Sequence, residues 1–155
     1  MKPRMLSMEK ILIAGVMGSL DKAGDLWNDF YFMDKEKTAL QNKMGEEVFE
    51  IRSAGGDNDG VCLIGARVRD SRIPPGFHLL VLPAQDYAAF YVGDAFGVDS
   101  SQNLAMNRWL DNNSESMEQA TIEGQPYVVK RYGEGFEPEE DVVAELWVPL
   151  VLKRD

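Results

Sequence analysis

The chain has 155 residues, 45% hydrophobic and 27% charged, the size and balance of one globular domain with no room for a second of ordinary size. Its 16 basic residues stand against 26 acidic ones, and the formal charge of −10 repels a phosphate backbone, which argues against direct DNA or RNA binding. One cysteine, Cys62, and one histidine, His78, cannot build a disulfide or a structural zinc site, so no metal or other cofactor is expected and the compartment reads as reducing.

No apolar run approaches membrane-spanning length, and Met1-Lys2-Pro3-Arg4-Met5-Leu6 lacks the apolar core and cleavage site of a signal peptide. A cytoplasmic protein without a membrane partner is expected.

In chain order, Ile11 to Met17 is short, β-branched and closed by Gly18-Ser19, which predicts a buried strand. After Asp25, apolar residues recur at three and four positions as Leu26, Phe30, Met33 and Trp27, Tyr31, predicting an amphipathic helix to about Leu40. Val48 to Ser53 and Val61 to Arg69 read as a hairpin, because the Gly- and Asp-rich segment between them tolerates positive φ. Ile73-Pro74-Pro75-Gly76 breaks the pattern, and the order restarts with Phe77 to Leu82, a kink at Pro83, and Tyr87 to Val92. Asp99 and Gln102 resemble a capping box opening a helix that carries Leu104, Ala105, Trp109 and Leu110 and stops at Asn112-Asn113. Two closing strands fit Tyr127 to Tyr132 and Val142 to Leu152, with Pro149 arguing for an edge position or a bulge in the last.

The order is β-α-β-β written twice, repeat one over about 8–72 and repeat two over about 77–152, within a single domain spanning 1–155. The expected class is α+β: antiparallel sheets joined around a pseudo-two-fold axis, with helices on one face and a ligand groove on the other.

Certain residues carry a resemblance. Pro75-Gly76-Phe77-His78, then Leu82-Pro83-Ala84-Gln85-Asp86-Tyr87-Ala88-Ala89-Phe90, Trp109, Tyr132 to Asp141, and Glu145-Leu146-Trp147-Val148-Pro149-Leu150 together resemble the GyrI-like small-molecule-binding domain. That domain also serves as the effector-binding half of many AraC-class and MerR-class multidrug-sensing regulators. The resemblance runs from about Met8 to Leu152 and is specific in the second repeat; the first matches in order of elements. It implies an aromatic-lined pocket between the repeats for diverse, often cationic or planar, ligands. No helix-turn-helix pattern accompanies it here, so a stand-alone form is expected. Where the family carries an aromatic-Glu-x-Tyr motif on the penultimate strand, this chain reads Val129-Lys130-Arg131-Tyr132, and a lysine in the acid's place would oppose a cation by like-charge repulsion.

Alternation sets Glu145, Trp147 and Pro149 on one face of the last strand and, by the same logic, Val128, Lys130 and Tyr132 beside them on its neighbour. A ligand site of Glu145, Trp147, Tyr132, Lys130, Tyr91 and Trp109 follows, with the aromatic rings as stacking area and Glu145 and Lys130 as polar contacts. The plainer reading is a Glu145–Lys130 cross-strand ion pair on a wet sheet, and packing is the ordinary role for helix-borne Trp27 and Trp109. Phe49 and Ile51 occupy the equivalent strand of the first repeat, with Glu50 and Arg52 on its other face; which face is buried stays open. His78 and Cys62 read as structural.

Three functions are consistent with these residues. The first is a binding protein for a small hydrophobic or planar molecule, linked to transcription regulation through a partner. The second, implied by the resemblance, is a hydrolase of cyclopropanoid compounds using Glu145 as general base and Tyr132 as proton donor. The third is an acidic partner of a basic protein such as DNA gyrase.

Overall fold

Extended apolar segments alternate with two helices: β1 (Arg4–Met8), β2 (Ile11–Ser19), a 3-10 turn (Leu20–Lys22), α1 (Ala23–Phe32), β3 (Val48–Ser53), β4 (Val61–Val68), β5 (His78–Leu82), β6 (Gln85–Val92), α2 (Ser100–Asn112), β7 (Met117–Gln119), β8 (Thr121–Ile122), β9 (Gln125–Tyr132) and β10 (Ala144–Leu152). The computed structural model describes residues 3–33, 40, 42–45, 47–53, 60–92, 100–122, 124–133 and 144–153, with backbone alone at 91, 92, 100–105 and 144. The turn before Gly60, the stretch of α1 beyond Met33, the Asp99 cap and the acidic run Glu137 to Asp141 fall outside these residues.

The strands pair antiparallel in one curled sheet, in the order β1-β6-β10-β9-β3-β4-β2-β5, with β7 added to β10 and β8 to β9. Corresponding elements of the two halves occupy mirrored places in that order: β1 with β5, β6 with β2, β10 with β4, and β9 with β3 at the centre. The halves meet along β3 and β9, where Glu50 stands opposite Lys130 on the ladder. This is the expected duplication with three additions: the short strands β7 and β8, and the leading strand β1, whose five mixed residues Arg-Met-Leu-Ser-Met carry no alternation.

The leading strands are exchanged. Two residues join β1 to β2 and β5 to β6, yet β1 pairs with β6 and β5 with β2. Each half therefore completes the other's sheet. Pro149, expected at an edge or a bulge, lies inside the sheet rather than at its edge, opposite Tyr87 of β6. It sits where β10 changes its other partner from β9 to β7. Its carbonyl accepts from the Ala120 amide at 2.9 Å, and its missing N–H falls in that gap.

β2 and β4 approach closely where Gly15 and Gly65 stand opposite each other. A Cβ on Gly15 would lie 2.0 Å from the Ile64 carbonyl oxygen and 2.6 Å from Gly65 Cα. Gly15→Ala must separate the two strands, so a loss of about 1–3 kcal/mol is expected in urea denaturation. An unchanged midpoint would show that the ladder yields freely.

Both faces of the sheet are packed. On the face bearing the helices, α1 lays Leu26 and Phe30 on Ala14, Val16, Ile64 and Ala66, while Met106, Trp109 and Leu110 of α2 cover Ala88, Phe90, Leu146 and Val148. On the helix-free face Phe49, Tyr87, Tyr127 and Trp147 pack with Ile13, Ile51, Leu63 and Val129, and Leu6, Met8, Leu80 and Ile122 lie against them from β1, β5 and β8. The aromatic wall expected to line a groove there is closed on itself.

Candidate functional site

The two helices leave a seam between them. α1 packs on β2 and β4 and α2 on β6 and β10, so β3 and β9 present Val48, Glu50, Arg52 and Val128, Lys130, Tyr132 to the helix-bearing face between the two packed clusters. Trp27 of α1 touches both clusters and roofs this seam. Its indole N–H donates to Glu50 Oε1 at 3.1 Å, and its ring meets Tyr132 edge-on with centroids 4.8 Å apart. Across the seam Trp109 stands edge-on to Phe90 at 6.0 Å.

The floor is ionic. Glu50 is 1% exposed and Lys130 0%, 4.0 Å apart as an ion pair, with the Lys130 ammonium also 5.4 Å from the Tyr132 ring centre. Arg52 turns its fork onto the same carboxylate, Nε at 3.1 Å from Oε2 and Nη2 at 3.2 Å from Oε1. Burial disfavours the charged guanidinium, but the Glu50 carboxylate outweighs it and holds Arg52 above its ordinary value. Two fully buried charges, with a half-buried third turned onto them, cost stability that an apolar floor would not, and such a cluster makes the seam a candidate site.

Cys62 reaches toward Glu50 with Sγ 3.9 Å from Oε1. Burial, reinforced by the Glu50 charge, pushes its thiol up to about 12 from 9.0. The folded state keeps a proton that the unfolded chain loses near pH 9, so this group's stabilisation is present below pH 9 and lost as pH climbs toward 12. At pH 9 about one thiol in a thousand is ionised. Native protein should therefore resist iodoacetamide at pH 8 and label only on unfolding; rapid native labelling would contradict this placement.

A cavity of about 230 Å³ opens at the Arg52 end of the seam, lined by Leu20, Arg52, Gln119, Pro126, Tyr127 and Val128. Glu50 and Arg52, central to this site, lay unassigned in the sequence, where Trp27 reads as packing alone. The Phe-Glu-Ile-Arg alternation of β3 leaves either face free to be the buried one.

The residues expected to form one site are divided by the sheet. The register pairs Glu145 with Arg131 and Trp147 with Val129, while Lys130 stands opposite Leu146. Lys130, Tyr132 and Trp109 therefore belong to the helix-bearing face, and Glu145 and Trp147 to the other. Tyr91 holds the ladder position opposite Glu145. The expected side-by-side placement fails by one residue, which in a strand reverses the face. Two consequences correct the earlier reading. Lys130 pairs with Glu50 rather than Glu145, and Glu145 and Tyr132 do not converge for acid–base chemistry.

Glu145 is instead clamped: Arg4 Nη2 donates to Oε2 at 2.6 Å and Arg131 Nη1 to Oε1 at 2.7 Å, while Arg131 Nε donates to Glu47 at 2.6 Å. Beside it Trp147 lies 5.4 Å from Tyr87 and 5.9 Å from Phe49 between ring centres. Gln85 donates to the Tyr127 hydroxyl at 3.0 Å, and burial raises both Tyr87 and Tyr127. This face ties strands together. Among the described residues no group of three or more His, Cys, Asp or Glu side chains is arranged to hold a metal, and no helix is long and apolar enough to cross a membrane.

No family model matches the sequence, and the search of curated proteins returned no match. Solved structures do match. SAV2435, solved bound to tetraphenylphosphonium, superposes with a TM-score of 0.71 at 13% identity over 97% of this chain and 94% of that one. The C-terminal domain of EcmrR gives 0.68 at 10% identity over 97% of each chain, and in the EcmrR–DNA complex the matched part is 57% of that chain, at 0.66. An integron cassette protein from Vibrio cholerae matches at 0.55, with 12% identity over 97% of this chain and 96% of that one. The duplicated sheet, its two helices on one face and these superpositions together show that this chain has the fold of the GyrI-like effector-binding domains.

Proposed function

We propose that this protein binds a small organic molecule in the seam between its two halves, on the helix-bearing face, as a sensing or sequestering module linked to transcription regulation. The observation that carries this reading is the ionic floor of Glu50, Arg52 and Lys130, buried under the aromatic roof of Trp27 and Tyr132 and bordered by a cavity. A low-dielectric site with a few oriented charges among rings is what selective recognition of a small ligand requires. The likeness to SAV2435, seen with tetraphenylphosphonium, and to the EcmrR C-terminal domain supports the same function class.

The test is a thermal-shift panel of planar cations, neutral aromatics and organic anions, with mass spectrometry of each hit. A ligand at a hundred times its dissociation constant should stabilise by about 2.7 kcal/mol and be recovered unchanged. Trp27→Phe, which removes the N–H donated to Glu50, should weaken every hit. Hits indifferent to Trp27→Phe and Tyr132→Phe would move the site elsewhere.

A further inference from the structure

We infer that the ligand of this seam is a small organic anion, a single-ring aromatic or short-chain carboxylate, whose carboxylate is received by Arg52 in the adjoining cavity. The inference rests on the seam being a binding site and adds the charge and size of what it takes.

Arg52 is the one charged residue among the six that line the cavity. Nε and Nη2 of its guanidinium are turned onto Glu50, and Nη1 makes no hydrogen bond among the described residues. The buried carboxylate thus fixes the fork, and the remaining nitrogen keeps two donors for a second acceptor. A guanidinium held in this way has lost its rotamer freedom before the ligand arrives, which removes much of the ordering cost of binding.

The charge sense is set by the same group. Glu50 is shared between Arg52 and Lys130, so an incoming cation would meet a guanidinium whose counter-charge is already engaged, in a setting where like charges interact more strongly than in water. An anion gains from that arrangement. The protein's overall charge of −10 favours cations at long range, so preference for an anion must come from this local contact and from nothing broader.

Size follows from the walls. About 230 Å³ lies below the range of drug-sized pockets, and Leu20, Pro126 and Val128 offer apolar surface to one ring or a short chain. The cavity itself accommodates one ring or a short chain, and further rings of a larger ligand would stand in the open mouth.

The experiment is calorimetry on the full chain with matched probes: benzoate, benzamide and benzamidine, then octanoate and octylamine. Benzoate or octanoate should bind at least tenfold tighter than its neutral or cationic counterpart. Arg52→Gln should cost the anion at least tenfold, and Arg52→Lys, which keeps the charge without the fork, should restore part of it. Because Arg52→Gln disturbs the pairing of Glu50, Val128→Phe serves as a second variant; it fills the cavity opposite Arg52 while leaving every charge of the cluster in place, and should block the anion in folded protein. Benzamidine or octylamine binding more tightly, or anion affinity untouched by Val128→Phe, overturns the inference. If no carboxylate binds while another probe does so in a Trp27-dependent way, the anion is excluded and the seam survives as a binding site; if no probe binds at all, both readings fall.

Discussion

Glu50→Ala should destabilise the protein by about 3–5 kcal/mol, the range for removing one partner of a buried ion pair. Truncation leaves Lys130 fully buried beside the half-buried Arg52 and takes the acceptor from the Trp27 indole N–H. Glu145→Ala is the internal comparison, since it too removes a buried carboxylate with two cationic partners, here both arginines. The arginine side chains there are 55% and 29% exposed, and water takes over their solvation, so a loss of about 1 kcal/mol is expected. Urea denaturation at pH 7 measures both. Equal losses would show that burial does not set the energy of the seam.

A triple replacement separates stability from function. Exchanging Glu50, Arg52 and Lys130 together for Leu or Met removes the desolvation cost along with the attraction, and such swaps are often neutral or stabilising. The triple variant should therefore keep or raise the urea midpoint while losing ligand binding. A variant that unfolds would mean that the cluster holds the two halves together.

Trp147→Ala should cost about 3–5 kcal/mol, the usual loss for emptying a large buried aromatic site. Trp147 is 5% exposed, and the rings of Phe49 and Tyr87 that flank it sit on other strands and cannot collapse into the void without breaking register. Against a typical stability of 5–15 kcal/mol this brings the variant near unfolding at ordinary temperature. The milder Trp147→Phe should fold and keep the ligand affinity of the parent, because Trp147 lies on the opposite side of the sheet from the seam. Loss of affinity in folded Trp147→Phe would place the site on the helix-free face.

The order of elements was legible because each strand and helix carries its own periodicity. Ile11 to Ser19 and the Val48–Ser53, Val61–Val68 hairpin declare themselves by β-branching and turn residues, and Leu26 and Phe30 by helical spacing. β1 was not, since five residues without alternation look like any polar terminus. The site was legible as a set of residue types and illegible as a place. Lys130, Tyr132 and Trp109 do belong to one face, but the phase between β9 and β10 depends on which residues pair across a long connection, and no property of either strand alone fixes that. Glu50 and Arg52 visibly share a face but could not be placed, for a related reason: β3 is covered on both sides, so alternation alone does not say which face carries the site.

The exchanged strands also bear on how the chain reaches this state. Arg4 pairs with Ala89 and Met8 with Gln85, so β1 cannot be seated until more than half the sequence has been synthesised. β2 likewise waits for β5 and β3 for β9, so the first half leaves the ribosome with both edges of its sheet unoccupied. Folding is thereby tied to contacts distant in sequence, which slows it, and neither half can finish before the other is present. A nascent chain of this protein is open to the wrong partner for as long as β6 is missing, and a second copy emerging nearby offers the same β6 edge.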